Sequence, residues 1–213
     1  MAQVNFQQLN QIEKLEESWK FFMGQGLLRD ALSRLVADLE QNEIDYAVIG
    51  ALALNLHGYT RATVDIDLVL TKEGLSAFHE KLVGLGYRPT FEGAKKSFRT
   101  THENLTIEII TTGEYPGDGL PKPVRFPEPK EHSVVIEGIK TLNLPKLVEL
   151  KLASGISGAA RLKDLADVQE LIKLKDLDRE FSEKLDPSVR DKFIELRQAV
   201  VEERKQARNR DVE

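Results

Sequence analysis

The stretch that decides the fold is Asp65-Ile66-Asp67-Leu68-Val69-Leu70, an apolar segment with two carboxylates in its first half. Side chains at i and i+2 of a strand share one face, with Cα atoms roughly 6–7 Å apart. Asp65 and Asp67 therefore point to one side, while Ile66 and Leu68 point into the core. Aspartate is disfavoured in strands, and two carboxylates aimed at one place repel each other unless a cation separates them. The stretch predicts a strand that holds a hard divalent ion; the alternative is an ordinary strand with a solvated polar face.

A third carboxylate lies on the strand predicted over residues 105–111. Alternation buries Leu105, Ile107 and Ile109 and leaves Glu108 on the opposite face. If this strand lies beside the one that carries Asp65, Glu108 can join the two aspartates. Three acids can hold two metal ions, or one ion next to a general base. A solvated polar face remains the alternative for Glu108 as well.

Short apolar runs alternate with amphipathic helical patterns through the middle of the chain, and this alternation is typical of an α/β core. A long irregular loop is predicted over residues 113–131, which contain five of the eight prolines. The pattern predicts strands over 46–50, 64–70, 97–101 and 105–111, a hairpin over 134–142, and helices over 51–56 and 73–85.

Helical periodicity dominates both ends of the chain. The C-terminal part predicts helices over about 145–154, 160–174 and 187–207, the last one starting at Pro187. We therefore predict an α/β (α+β) protein in three parts. N-terminal helices (1–43) pack on a core with a small mixed sheet (44–142), and a helical region (143–213) follows.

The composition excludes several classes of protein. The 213 residues are 41% hydrophobic, which excludes wholesale disorder, and no cysteine is present to form disulfides or thiolate metal sites. The formal net charge of −5 disfavours a protein that coats nucleic acid. No apolar run is long enough for a membrane span, and the N-terminal residues lack a signal-peptide pattern. We expect a soluble, cytoplasmic protein with no membrane partner.

Several landmarks in the order found here resemble a known family. Gly50-Ala51 is separated from Asp65-x-Asp67 by residues 52–64, a spacing similar to that of the nucleotidyltransferase superfamily that includes DNA polymerase beta. The resemblance covers about residues 44–175 and is more specifically to the AbiEii-type minimal nucleotidyltransferases of prokaryotes. Its further landmarks are His57-Gly58, Arg61-x-Thr63, the Ile107–Gly113 segment, Lys151 and Arg161-x-Lys163-Asp164-x-x-Asp167.

The resemblance implies the nucleotidyltransferase fold and an enzyme that moves a nucleoside monophosphate from an NTP, such as ATP, to an acceptor. Asp65 and Asp67 would hold Mg²⁺, or Mn²⁺ in its place, on the triphosphate. Glu108 would bind metal or deprotonate the acceptor, and Gly50 would let the backbone approach the phosphates. The acceptor is RNA (a tRNA end), protein or a small molecule. Some relatives are toxins of toxin–antitoxin or phage-defence systems, which implies an antitoxin partner.

Three further residues are candidates for nucleotide binding. Lys151 falls on the apolar stripe of its predicted helix, so it either binds an anionic partner, such as a triphosphate or a metal-site carboxylate, or extends its charge to solvent. The resemblance places a phosphate-binding, catalytic lysine here. Arg61 either binds a phosphate, braces Asp65 or lies on the surface. Asp164 is expected to pair with Lys151 or Arg161, in a positioning or a purely structural role, and Asp167 is a weaker candidate.

Two departures from the family pattern motivate a second hypothesis. Ala51 replaces the usual Ser or Gly, and Glu108 stands where Asp is commoner. They are what a catalytically degenerate fold that binds nucleotide or a protein partner would show. A metal-dependent phosphohydrolase on the same acids ranks last, because no histidine lies beside them.

Overall fold

This computed structural model describes residues 6–22 and 25–210, and its strands form a mixed sheet. Within those residues its seven strands are β1 (Tyr46–Val48), β2 (Asp65–Leu70), β3 (Tyr87–Pro89), β4 (Ser97–Thr100), β5 (Thr106–Thr111), β6 (Ser133–Ile136) and β7 (Ile139–Leu142). They lie in the order β3-β4-β5-β2-β1-β7-β6. β1 pairs in parallel with β7, as β2 does with β5, and the other neighbours are antiparallel. The predicted mixed sheet is confirmed.

Strand β2 lies inside the sheet, between β5 and β1. Its residues Ile66 and Leu68 are fully buried, whereas Asp65 and Asp67 are half-buried on the other face. The same alternation runs along β5, where Ile107 is buried. The faces predicted for the carboxylates are therefore correct.

Helices precede or connect the strands of this sheet. They are α1 (Gln11–Phe22), α2 (Leu27–Gln41), α3 (Gly50–Leu56), α4 (Lys72–Lys81) and the short α5 (Pro129–His132). The apolar stripe of α2 is buried, with Leu32, Leu35 and Leu39 inaccessible to solvent. It belongs to one hydrophobic cluster with the inward side chains of β2 and β5. Burial of this kind stabilises a fold by about 25 cal/mol per Å² of apolar surface.

The described residues form two compact units. The first contains those up to Thr112 together with Pro127–Leu142, and so holds the whole sheet. The second contains the loop Gly113–Phe126 and the described residues from Asn143 onward, which form α6 (Leu144–Ile156), α7 (Leu162–Lys175) and α8 (Pro187–Arg210). In this unit Arg161 Nη2 donates to the Gly117 carbonyl at 3.1 Å. The three-part division predicted from the sequence stays a prediction.

Some boundaries differ from the predicted ones. Helix α4 ends at Lys81, four residues earlier than predicted, because Gly84 and Gly86 adopt positive φ values of 89° and 111° that turn the chain into the unpredicted strand β3. Helix α5 lies in what was predicted as the end of an irregular loop. Parts of the predicted N-terminal helices lie outside the described residues, namely residues 1–5 and 23–24 and the side chains of Phe6, Leu15, Trp19 and Phe22. None of the helices described is long and apolar enough to cross a membrane.

Candidate active site

The strand register brings two of the predicted acids side by side. Asp67 on β2 is the direct partner of Glu108 on β5, and Glu108 is in turn the partner of Ser97 on β4. Directly paired residues of neighbouring strands present their side chains on the same face of the sheet. A row of polar side chains therefore crosses three strands, and Asp65 lies two residues before Asp67 on the same face.

Gly50, which follows β1 and begins α3, lies next to Asp67 at the end of this row. Its backbone has a φ of +64°, and a Cβ at this position would lie 2.0 Å from Asp67 Oδ2. The Ile49 amide also donates to the Asp67 carbonyl at 2.9 Å. Only glycine fits here, because a side chain would occupy the place of the Asp67 carboxylate. Ala51 follows as the second residue of α3 and is half-buried.

The Glu108 carboxylate accepts a hydrogen bond from the Ser97 hydroxyl, which is bound in turn by the Thr90 hydroxyl, and neither contact was predicted from the sequence. Ser97 Oγ donates to Glu108 Oε1 at 2.6 Å, and Thr90 Oγ1 donates to Ser97 Oγ at 2.8 Å. The signal available in the sequence was Ser97 itself, a polar residue that comes directly before the buried Phe98 in β4. Its partner depends on the register of β4 against β5, which the sequence pattern alone leaves open.

The segment that leads into β2 is fixed by Asn55 at the end of α3. The Asn55 side chain accepts from the Arg61 amide at 2.7 Å and donates to the Arg61 carbonyl at 3.0 Å. Thr63 Oγ1 lies 3.4 Å from the Asp65 amide. These contacts fix the backbone at Arg61 and Thr63, which precede Asp65 in the sequence. The phosphate-binding role of Arg61 stays a prediction.

The donor set fits a hard divalent cation. Asp65 and Asp67 offer carboxylate oxygens on one face. Because residue 50 is glycine, it places no side chain against Asp67 Oδ2. Among residues 6–22 and 25–210, no three Asp, Glu, His or Cys side chains form a ready-made metal cluster. Mg²⁺ needs no such cluster, since it takes one or two carboxylates and completes its shell with water and phosphates. Glu108 as a further metal ligand stays a prediction.

Lys151 lies in the second unit and is buried, with 9% of its surface exposed. Its Nζ is 2.6 Å from Asp164 Oδ1 and 2.8 Å from Asp167 Oδ2, and Ser154 Oγ donates to Asp164 Oδ2 at 2.6 Å. Of the two partners predicted for Asp164, Lys151 or Arg161, the structure shows an ion pair with Lys151. Asp167, the weaker candidate, is a second partner and is 2% exposed. The nucleotide-binding roles of Lys151 and Asp164 stay predictions.

Replacing Lys151 with methionine is expected to lower the free energy of unfolding by about 3–5 kcal/mol. The substitution keeps the apolar stem but leaves two buried carboxylates, Asp164 and Asp167, without their shared cation. Urea unfolding of the variant measures the loss. Lys163→Met is the matched control, because Lys163 is an exposed lysine on α7, the helix that carries Asp164 and Asp167. Equal stability of the two variants would contradict the prediction.

The Asp164 carboxyl should also make stability depend on pH. Burial by itself raises its pKa, but the charge and the hydrogen bond of Lys151, with help from Ser154 and Arg161, bring the pKa below the ordinary value of 3.8. A carboxyl with a lower pKa in the folded chain stabilises it fully above the unfolded value, and this contribution is lost as pH falls through the folded value. Between about pH 5 and pH 3, we expect the unfolding midpoint in urea to fall more steeply for the wild type than for Asp164→Asn. Parallel curves would contradict the prediction.

Comparisons with known proteins identify the fold. No family profile and no curated protein matches the chain. Among solved structures, ANT(2'')-Ia in complex with adenylyl-2''-tobramycin is 14% identical, with a TM-score of 0.50 over 82% of this chain and 97% of that chain. JHP933 from Helicobacter pylori is 16% identical, with a TM-score of 0.45 over 96% and 98%. An antigenic nucleotidyltransferase-like protein from Paracoccidioides brasiliensis is 17% identical, with a TM-score of 0.45 over 68% and 75%.

The likeness to ANT(2'')-Ia shows that this chain has the nucleotidyltransferase fold. The predicted fold class is therefore confirmed. The AbiEii-type assignment is more specific than the fold, and it stays a prediction based on the sequence motifs.

Proposed function

We propose that the protein is a Mg²⁺-dependent nucleotidyltransferase that moves a nucleoside monophosphate from an NTP to an acceptor hydroxyl. One observation carries the proposal: the register sets Asp67 of β2 directly beside Glu108 of β5, with Gly50 against the Asp67 carboxylate. A structural strand gains nothing from two adjacent acids, which repel each other. A site that binds a polyphosphate together with its divalent cation gains from two adjacent acids, because the cation offsets their repulsion.

The reaction needs a base for the acceptor. The acceptor oxygen forms a bond to the α-phosphorus as the bond to the bridging oxygen breaks, and pyrophosphate leaves. Glu108 is proposed to take the proton of the acceptor hydroxyl, which is general-base catalysis. Asp65 and Asp67 would hold Mg²⁺, which when bound supplies positive charge to the triphosphate.

The finer features of the proposal come from the motif resemblance. The order of Gly50, Arg61, Asp65, Asp67 and the later lysine and acids supports an AbiEii-type enzyme, with an acceptor that is RNA, protein or a small molecule. A role as the toxin of a toxin–antitoxin or phage-defence system, with an antitoxin partner, has the same support. Mn²⁺ is the alternative metal.

The test is a transfer assay with four α-³²P-labelled NTPs and Mg²⁺. Total tRNA, a cell extract and a set of small hydroxyl compounds are supplied as separate acceptors. The small-molecule arm follows ANT(2'')-Ia, whose structure contains adenylyl-2''-tobramycin. Label that enters one acceptor class with the wild type but not with Asp67→Asn is the expected result.

Two results would contradict the proposal. NTP binding without transfer to any acceptor favours the degenerate fold, with Ala51→Ser as the first reversion to make. Release of pyrophosphate or phosphate with no labelled acceptor favours the phosphohydrolase.

A further inference from the structure

We infer that Ser97 is a positioning residue for Glu108 and that Thr90 holds Ser97 in place. This inference rests on the proposed function, because it assigns to Ser97 the orientation of the carboxylate that serves as the base. Neither hydroxyl belongs to the motif that carries the family resemblance.

The pairing of β4 with β5 puts Ser97 where it can act on Glu108. The two residues are direct antiparallel partners, so their side chains stand next to each other on the face that also carries Asp67. Ser97 and Glu108 are both half-buried, and buried Phe98 anchors the register from the opposite face. Glu108 is therefore flanked by a hydroxyl on one side and a carboxylate on the other.

The two hydroxyl groups form a hydrogen-bonded chain that ends on Glu108. Ser97 has one hydroxyl proton and donates it to Glu108 Oε1 at 2.6 Å. Its oxygen then accepts from Thr90 Oγ1 at 2.8 Å, and the Thr90 amide donates to the Ser97 carbonyl at 3.1 Å. Because Thr90 is bound to Ser97 through both main chain and side chain, the Ser97 hydroxyl is held toward Glu108.

This arrangement explains how glutamate serves where aspartate is commoner. Glutamate has one more rotatable bond than aspartate, and an unrestrained carboxylate would sample several positions. The Ser97 bond fixes Oε1, so the proton of an acceptor is taken by Oε2. A charge-assisted hydrogen bond of this kind is about twice as strong as a neutral one. Partners that orient a functional side chain typically contribute about 10–100-fold to activity.

The test compares Ser97→Ala with Ser97→Thr in the transfer assay. We expect Ser97→Ala to lower kcat about tenfold, with KM for the NTP unchanged, because the base is displaced while nucleotide binding is retained. Ser97→Thr keeps a hydroxyl on the strand and should recover most of kcat. Ser76→Ala is the matched control, since the Ser76 hydroxyl donates to the Lys72 carbonyl within α4, rather than to a residue of β4 or β5. Unchanged kcat in Ser97→Ala, or no recovery in Ser97→Thr, would overturn the inference.

A second readout does not depend on turnover. The side-chain carboxyl of Glu108, labelled with ¹³C, reports its hydrogen bond through its NMR chemical shift. We expect Ser97→Ala to move this resonance and Ser97→Thr and Ser76→Ala to leave it in place. If the wild type shows no transfer, the proposed function fails, and the resonance alone decides whether Ser97 orients Glu108. A resonance that Ser97→Ala does not move overturns the inference.

Discussion

Replacing Asp67 with asparagine is expected to reduce nucleotide transfer by about a thousandfold. Asparagine has the shape of aspartate but no charge, so it cannot neutralise a divalent ion or hold it on the triphosphate. The structure makes Asp67 the central residue of the site, because it lies between Glu108 on one side and Gly50 on the other. The measurement is the initial rate of label transfer.

Thermal stability distinguishes a loss of transfer activity from a loss of folded protein. Asp67→Asn removes one of the charges that repel each other on this face, so its Tm should equal or exceed that of the wild type. Asp45→Asn is the matched control, since Asp45 is an exposed aspartate next to β1, before the strand begins. It should retain full activity. Asp67→Asn that retains a tenth or more of wild-type transfer would show that this carboxylate does not serve the reaction.

The second large effect is expected for Gly50→Ala, with a loss of transfer of about a hundredfold and of stability of about 2–3 kcal/mol. An added Cβ would lie 2.0 Å from Asp67 Oδ2, so either the carboxylate or the start of α3 must move. The left-handed φ of +64° adds a backbone cost of about 1 kcal/mol for any residue with a Cβ. Urea unfolding and the transfer rate measure the two losses.

Gly93→Ala isolates the backbone cost. Gly93 also has a positive φ, +84°, but a Cβ there meets no atom within 4 Å. This control should lose about 1 kcal/mol of stability and no activity. If the two alanine variants behave alike, the close approach to Asp67 has no functional consequence and the account of Gly50 is wrong.

The sequence predicted the half of the site that follows from local patterns. Period-two alternation is a property of each strand by itself, so the shared face of Asp65 and Asp67 and the outward position of Glu108 were readable. A glycine before a helix is likewise a local signal. The direct pairing of Asp67 with Glu108 was only conditional, because it requires two strands separated by 35 residues to be neighbours in parallel.

The remaining contacts depend on long-range register or on weak local signals. The contact between Ser97 and Thr90 depends on the pairing of β3 with β4. Strand β3 was not predicted, because it is three residues long and ends in Pro89. Asp167 is different. It lies three residues after Asp164, a spacing that puts both acids on one face of α7, so its pairing with Lys151 was within reach of the sequence.

The loop Gly113–Phe126 has a consequence for how this chain can be rearranged. It lies between two segments of the sheet unit in the sequence but belongs to the helical unit, where Arg161 binds its Gly117 carbonyl. The backbone therefore passes between the units three times, at Thr112–Gly113, Phe126–Pro127 and Leu142–Asn143. A gene fusion that exchanges the helical part with that of another protein through one junction would leave behind fourteen residues of the old part. An exchange of the whole helical unit would have to preserve all three passages at once.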